Sequence, residues 1–84
     1  MRNEFFGNMI RVSKNIARKK WNEGKDIAFF PCYVRTDNKW IGPYISNKFC
    51  EGNIGYTFDD VNDYFIMFNC GNELGNYPKY FCEL

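Results

Sequence analysis

Apolar side chains recur every three or four residues through the first quarter of the chain. They are Phe5, Phe6, Met9, Ile10, Val12, Ile16, Ala17 and Trp21. This spacing gives a helix one apolar face, as in the surface helices of globular proteins. We therefore predict an amphipathic helix from about Phe5 to Asn22, with Asn3 as its N-cap and Gly24 just beyond its end.

Two β-prone segments separated by a polar turn follow this helix. Residues 27–35 (IAFFPCYVR) and 40–45 are rich in aromatic and β-branched side chains, and residues 36–39 (TDNK) are turn-forming types. This pattern predicts a β-hairpin. Pro31 has no N–H to donate to a neighbouring strand, so it predicts a sheet edge or a bulge. Residues 77–84 predict a last strand that completes the sheet.

A second helix is predicted from Phe58 to Cys70. Thr57 is placed to cap it and Asp60 lies in its first turn, while Gly71 is typical of the residue after a helix. Its apolar positions are Phe58, Val61, Phe65 and Phe68. The alternative is a strand over Tyr64–Asn69, because a short apolar run fits both structures.

The composition places these elements in one small folded domain. The 84 residues include nine Phe, six Tyr and two Trp, and large rings bury much apolar area in a chain of this length. We therefore predict a single α+β domain over residues 1–84. Its N-terminal amphipathic helix packs on a short antiparallel sheet, made of the hairpin and the C-terminal strand, with the second helix beside it.

The four cysteines are widely spaced. Cys32, Cys50, Cys70 and Cys82 form no C-x-x-C pair, and the chain has no histidine. Zinc sites favour closely spaced Cys and His ligands, so we predict no metal site. The chain has no apolar run long enough to span a membrane and no recognisable secretory signal. We therefore expect a cytoplasmic protein with four free, largely buried thiols; two disulfides, in any of three pairings, are the alternative for a secreted protein.

Positive charge is concentrated at the N-terminal end. The net charge is only +1. Seven basic and two acidic side chains fall in residues 1–25, which therefore carry +5, and four basic and eight acidic ones fall in residues 26–84, which carry −4. Arg11, Lys14 and Arg18 share one face of the predicted helix, and Lys19 and Lys20 flank them. Such an alignment creates a local positive potential even in a nearly neutral protein.

This helix is the first candidate binding surface. Its cations would suit phosphates or an acidic protein surface; the alternative is a solvated face answered by the protein's own Asp59, Asp60 and Asp63. Aromatic side chains are the second candidate, because Trp40 and Tyr44, with Phe29 and Tyr33, could stack on nucleic-acid bases. Packing in the core is the alternative for these rings.

Enzyme chemistry has little support in the residue types. Without histidine, neither a Ser/His/Asp nor a Cys/His arrangement can be built. No glycine-rich phosphate loop is present, and Asp59, Asp60 and Asp63 suit the positive end of the second helix's dipole better than a metal cluster. We therefore predict neither catalysis nor a cofactor.

A short segment resembles a phage protein family. Residues 16–22 (IARKKWN), with Phe6-Gly7 before them and the aromatic-rich IAFF after them, resemble the opening of the anti-Thoeris nucleotide-sequestering proteins. Lys20 stands where that family has glycine. The resemblance covers about a quarter of the chain and implies binding of a signalling nucleotide in an oligomer.

The sequence as a whole predicts a non-enzymatic binding or inhibitor protein in the cytoplasm of a bacterial host. The abundance of Asn, Lys, Ile, Phe and Tyr fits a low-GC bacterium, or a phage or mobile element living in one. Together with the small size and the resemblance to the phage family, it suggests a phage- or mobile-element-encoded anti-defence protein of the anti-CRISPR type. The predicted partner is nucleic acid or a nucleic-acid-bound protein complex. The predicted binding residues are Arg11, Lys14, Arg18, Lys19, Lys20, Trp21, Trp40 and Tyr44. One alternative is a nucleotide-binding protein in which Arg18, Lys19, Lys20 and Trp21 hold the phosphate and the base. The other is a protein-interaction module without nucleic acid.

Overall fold

Five antiparallel strands form the main sheet of the protein. The computed structural model describes residues 4–70 and 78–83. The elements are β1 (Phe5–Phe6), β2 (Met9–Val12), α1 (Lys14–Asn22), β3 (Ile27–Phe30), β4 (Tyr33–Val34), β5 (Lys39–Trp40), β6 (Tyr44–Ser46), a 3₁₀ turn (Glu51–Asn53), α2 (Phe58–Cys70) and β7 (Lys79–Cys82). The sheet order is β1-β2-β7-β3-β6, and β4 and β5 form a separate ribbon. The α+β class predicted from the sequence is confirmed.

The prediction of an N-terminal helix was wrong for the first half of its range. Residues 5–12 form the β1–β2 hairpin, with Phe6 opposite Met9 across a two-residue turn. Gly7 in that turn has φ +59°, a conformation that glycine adopts at no steric cost and that two-residue hairpins require. The helix begins only after Ser13, whose hydroxyl oxygen accepts a hydrogen bond from the Ile16 N–H. Asn3, the predicted N-cap, lies outside the described residues.

The predicted central hairpin is confirmed, with an interruption. Phe29 lies opposite Tyr44 in the main sheet, and Tyr33 lies opposite Trp40 in the ribbon. Both pairings belong to one continuous register, and the Ile41 N–H donates to the Cys32 carbonyl oxygen between them. The ladder breaks beside Pro31, which cannot donate a hydrogen bond.

The C-terminal strand is confirmed and lies at the centre of the sheet. β7 pairs with β2 on one side and with β3 on the other. Tyr80 therefore lies between Val12 and Phe29 on one face of the sheet. This is the face that both helices cover. Tyr77 and Leu84, the ends of the predicted strand, lie outside the described residues.

The second helix matches its predicted bounds, so the strand alternative for residues 64–69 is excluded. Thr57 and Asp60 cap it reciprocally: the Asp60 N–H donates to the Thr57 hydroxyl, and the Thr57 N–H donates to the Asp60 carboxylate. This exchange satisfies two backbone donors at the helix start. Gly71, the predicted terminating residue, lies outside the described residues.

Aromatic side chains from the two helices and the sheet form the core. The buried cluster comprises Ala17, Trp21, Ile27, Phe29, Phe58, Val61, Tyr80 and Cys82. Phe29 contacts Phe58 with a ring-centroid distance of 5.4 Å, and Trp21 meets Phe58 edge-on at 6.0 Å. The Trp21 indole N–H donates to the Ser46 hydroxyl oxygen at 3.3 Å, so its polar atom is satisfied inside the core.

The expectation of four free thiols was wrong for two of them. Cys32 and Cys70 form a disulfide, with their Cα atoms 6.1 Å apart. The bond joins the segment between β3 and β4 to the last residue of α2. Cys50 and Cys82 are free. Burial raises the pKa of the Cys82 thiol, which keeps this side chain protonated and poorly nucleophilic.

Tyr80 makes the stability of the protein sensitive to alkaline pH. Burial raises its pKa to about 12, and its hydroxyl donates to the buried Asn62 amide oxygen at 2.7 Å. Its contribution to stability is complete below the unfolded-state pKa of about 10 and is lost as pH rises toward the folded-state value. We expect the free energy of unfolding to fall by up to about 3 kcal/mol over this range.

Urea unfolding of the wild type and of Tyr80→Phe at a series of pH values tests this expectation. The variant should be less stable at pH 8, because the Asn62 oxygen loses its donor, but its stability should fall less steeply above pH 10. Parallel curves for the two proteins would show that another group causes the alkaline loss.

Candidate binding surfaces

The acid Asp59 neutralises the first half of the predicted basic face. Its carboxylate lies 2.9 Å from the Arg18 guanidinium and 3.7 Å from the Lys14 ammonium. The hydrogen bond from Arg18 holds the pKa of Asp59 below its usual value and raises the pKa of Arg18. Arg18 also lies over the Phe58 ring. Of the three acids named in the alternative interpretation, Asp59 therefore pairs with these cations, whereas neither Asp60 nor Asp63 does.

Two more predicted cations have intramolecular partners. Arg11 lies on β2 rather than on the helix and pairs with Glu4 at 3.2 Å. Glu4 also pairs with Lys79 at 2.7 Å, and the hydrogen bond from Lys79 is the main reason why its pKa is lowered. Lys20 lies 3.9 Å from Glu23. Lys19 is exposed, and no acid among residues 4–70 and 78–83 lies within 4.0 Å of its ammonium group.

The predicted aromatic residues are only partly available. Trp21 is 1% exposed and lies out of reach of a partner. Tyr44 stacks on Phe65 with a centroid distance of 4.7 Å and donates its hydroxyl hydrogen to Asn69. Trp40 is half-buried and lies 4.5 Å beneath the Lys79 ammonium. These contacts favour the packing interpretation for Trp21 and Tyr44.

Arg11 and Lys14 also line a cleft of about 600 Å³ between β2, the start of α1 and α2. Its other walls include Asn62, Asp63 and Tyr80. The cleft therefore brings together two of the eight predicted residues. An acid lies among its walls, and both cations already have acidic partners.

Sequence reasoning missed an exposed apolar groove on α2. The groove measures about 680 Å³ and is lined by Tyr56, Tyr64 and Met67, together with Phe65 and residues of the 3₁₀ turn. Tyr64, Met67 and the neighbouring Phe68 are 61%, 74% and 72% exposed, and Phe68 stacks on Tyr64 at 5.8 Å. Exposed apolar clusters of this kind mark interaction surfaces in soluble proteins. We call the surface made of Tyr56, Tyr64 and Met67, with Phe68 adjoining it, the α2 groove.

The rim of the α2 groove is acidic. Asp60 and Asp63 line it, and no cation among the described residues lies within 4.0 Å of either carboxylate. The sequence carried a signal for this surface, since Asp60, Asp63, Tyr64 and Met67 alternate with the predicted buried positions of the helix. The apolar pattern nevertheless placed Phe68 inside, where the structure leaves it exposed.

A second unpredicted feature lies at the C-terminal end of α1. Phe49 is 71% exposed, and its ring lies against Gly24, where a Cβ atom would come within 2.6 Å of it. Lys25 and Lys48 adjoin these two residues in the chain. Both lysines are exposed, and no described acid lies within 4.0 Å of either ammonium group.

The described residues contain no group of three or more Cys, Asp or Glu side chains that could hold a metal ion. Within the same residues, neither helix is long and apolar enough to cross a membrane. The chain was compared with protein-family models, with curated proteins and with solved structures, and nothing in the three sets matches it.

Proposed function

We propose that the chain is a non-enzymatic binding protein that docks on a partner protein through the α2 groove. The observation that carries this proposal is the cluster of Tyr64, Met67 and Phe68, all more than 60% exposed on one helix. Exposed aromatic and methionine side chains are enriched at protein interfaces. The nucleic-acid docking predicted for the basic helix has less support, because Arg11, Lys14, Arg18 and Lys20 already pair with acids.

The charge around the groove selects the partner. Asp60 and Asp63 lie on its rim without cationic partners among the described residues, and burying them against an apolar surface would cost free energy. A segment with apolar anchors and flanking Lys or Arg side chains would fill the apolar groove and pair with its acidic rim. Amphipathic helices bind apolar grooves in this way, so we propose a basic amphipathic helix as the occupant.

A pair of model peptides tests this proposal by fluorescence polarisation. One peptide carries leucine on one helical face and lysine on the other, and the second carries glutamate in place of lysine. We expect the lysine peptide to bind at least about tenfold more tightly, because the charged rim repels the other. The double variant Tyr64→Ala/Phe68→Ala should weaken its binding by about tenfold or more, and Asp63→Asn should reduce the salt dependence.

The chain offers matched controls for both variants. Phe49→Ala removes an equally exposed ring from another surface, and Asp37→Asn removes an exposed acid from the hairpin loop. Both controls should bind the lysine peptide like the wild type. Equal binding of the two peptides, no binding of either, or binding that survives Tyr64→Ala/Phe68→Ala would refute the groove as a site for basic helices.

The phage or mobile-element setting and an anti-CRISPR type of action remain predictions from the sequence. Affinity capture from a low-GC bacterial lysate with the wild type and Tyr64→Ala/Phe68→Ala in parallel tests them. A defence protein retained only by the wild type would support the prediction, and its basic segment would then replace the model peptide.

A further inference from the structure

We propose that Phe49, with Lys25 and Lys48, forms a second binding site whose ligand is single-stranded nucleic acid. This site lies at the C-terminal end of α1 and is separate from the α2 groove. In this proposal the nucleic-acid contact is made not by the paired cations of β2 and α1 but by Lys25 and Lys48, which have no acidic partners among the described residues.

Backbone hydrogen bonds hold the segment that carries Phe49. The ring lies on Gly24, whose φ of +93° and lack of a Cβ atom make room for it. The Phe49 N–H donates to the Asn47 side-chain oxygen at 2.8 Å, and the Lys48 N–H donates to the Trp21 carbonyl oxygen at 3.4 Å. The ring therefore lies against the Gly24 backbone while 71% of the residue stays open to solvent.

The charge around the ring suits a phosphate backbone. Lys25 directly follows Gly24, and Lys48 directly precedes Phe49. Lys19 and Lys20 lie in the last turn of α1. Two of the three nearby acids are engaged: Glu23 lies 3.9 Å from Lys20, and the Asp26 carboxylate accepts a hydrogen bond from Asn47 at 2.5 Å. The third is Glu51, two residues after Phe49, and four lysines against three acids leave this end of the helix positive.

The exposed ring distinguishes single strands from duplexes. In a duplex the flat faces of the bases are occupied by neighbouring base pairs, whereas an unpaired base can stack on an aromatic side chain. Cations alone would bind both forms through their phosphates. The combination of an exposed ring with adjacent lysines therefore points to an unpaired strand.

Fluorescence anisotropy with a labelled oligothymidine strand and a duplex of the same length, each at two salt concentrations, tests the site. We expect the strand to bind more tightly than the duplex, and Phe49→Ala to weaken strand binding about tenfold. Lys25→Gln/Lys48→Gln should weaken both ligands and lower the slope of log affinity against log salt by about 1.4 units for the strand. Phe49→Trp should restore strand binding, because it keeps an aromatic face.

The α2 groove and the hairpin loop supply the controls. Phe68→Ala removes an equally exposed ring, and Arg35→Gln/Lys39→Gln removes two exposed cations at the hairpin; neither should change strand binding. Absence of strand binding at low salt, equal affinity for the duplex, or an unchanged affinity in Phe49→Ala would each overturn the proposal. Since the peptide and strand assays test different surfaces with different ligands, the failure of one site leaves the result for the other intact.

Discussion

Reduction of the Cys32–Cys70 disulfide is expected to lower the free energy of unfolding by about 4 kcal/mol. The bond links residues 38 positions apart. Closing a loop of this length restricts the unfolded chain, and the chain-entropy relation gives a stabilisation of about 4 kcal/mol at 25 °C. A domain of this size has a total stability of roughly 4–13 kcal/mol, so the bond accounts for a large part of it.

Urea unfolding with and without reductant measures this effect. The double variant Cys32→Ser/Cys70→Ser should unfold at the same urea concentration as the reduced wild type, whereas Cys50→Ser should keep the full response to reductant. Thiol titration of the unfolded protein should count two free groups before reduction and four after it. Equal midpoints with and without reductant would contradict the prediction.

The redox state of the Cys32–Cys70 pair bears on the cellular location of the protein. Disulfides persist in oxidising compartments and are reduced in the cytosol. In the bacterial cytoplasm predicted from the sequence, both thiols would be reduced and the protein would work with the lower stability. Alkylation of the thiols in intact cells, followed by mass analysis, distinguishes the two states.

Replacing Trp21 by alanine is expected to cost about 3–5 kcal/mol, the usual cost of truncating a large aromatic side chain in a core. Trp21 is 1% exposed and contacts Phe58, and its N–H is bonded to Ser46. Trp21→Phe should cost less, since it keeps most of the ring and since Ser46 retains the hydrogen bond from Asn53.

Urea unfolding followed by circular dichroism measures both variants without relying on tryptophan fluorescence. Trp40→Ala is the matched control, because Trp40 is half-buried in the two-stranded ribbon and should cost clearly less than Trp21→Ala. If Trp21→Ala fails to fold, Trp21→Phe still provides the comparison. The core assignment would be contradicted by two results together. Trp21→Phe would be as stable as the wild type, and Trp40→Ala would be no more stable than Trp21→Ala.

The elements that sequence periodicity predicted correctly are those with strong local signals. α2 has a reciprocal cap at Thr57 and Asp60, and the central hairpin has aromatic strands around a polar turn. In both cases local preference and tertiary packing agree, which is the condition under which sequence reasoning succeeds.

The segment over residues 5–12 shows why the first helix was mispredicted. Over eight residues the same apolar positions suit one face of a helix and the two faces of a short hairpin. Gly7-Asn8 between apolar pairs was the local signal for a two-residue turn. The pairing of β2 with β7, which lies about 70 residues further along the chain, then stabilises the extended structure, and no local pattern reports that contact.

The candidate surfaces depended even more on tertiary structure. Charge counting identified the basic segment correctly but could not show that Asp59, 41 positions after Arg18, lies 2.9 Å from it. Likewise, Phe49 and Gly24 meet only because the loop after β6 returns to the end of α1. The disulfide pairing could not be predicted for the same reason, since the spacing of four cysteines leaves three possible sets of pairs.

The central position of β7 has a consequence for synthesis of the protein on the ribosome. β2 and β3 are made early, but the strand that lies between them follows β3 by about 50 residues. At typical elongation rates of 5–20 residues per second this is a wait of about 3–10 s. During that interval the nascent chain holds two strands with unpaired edges, which are sites of aggregation. The main sheet therefore cannot close until β7 has been made, and chains truncated before residue 79 cannot form it.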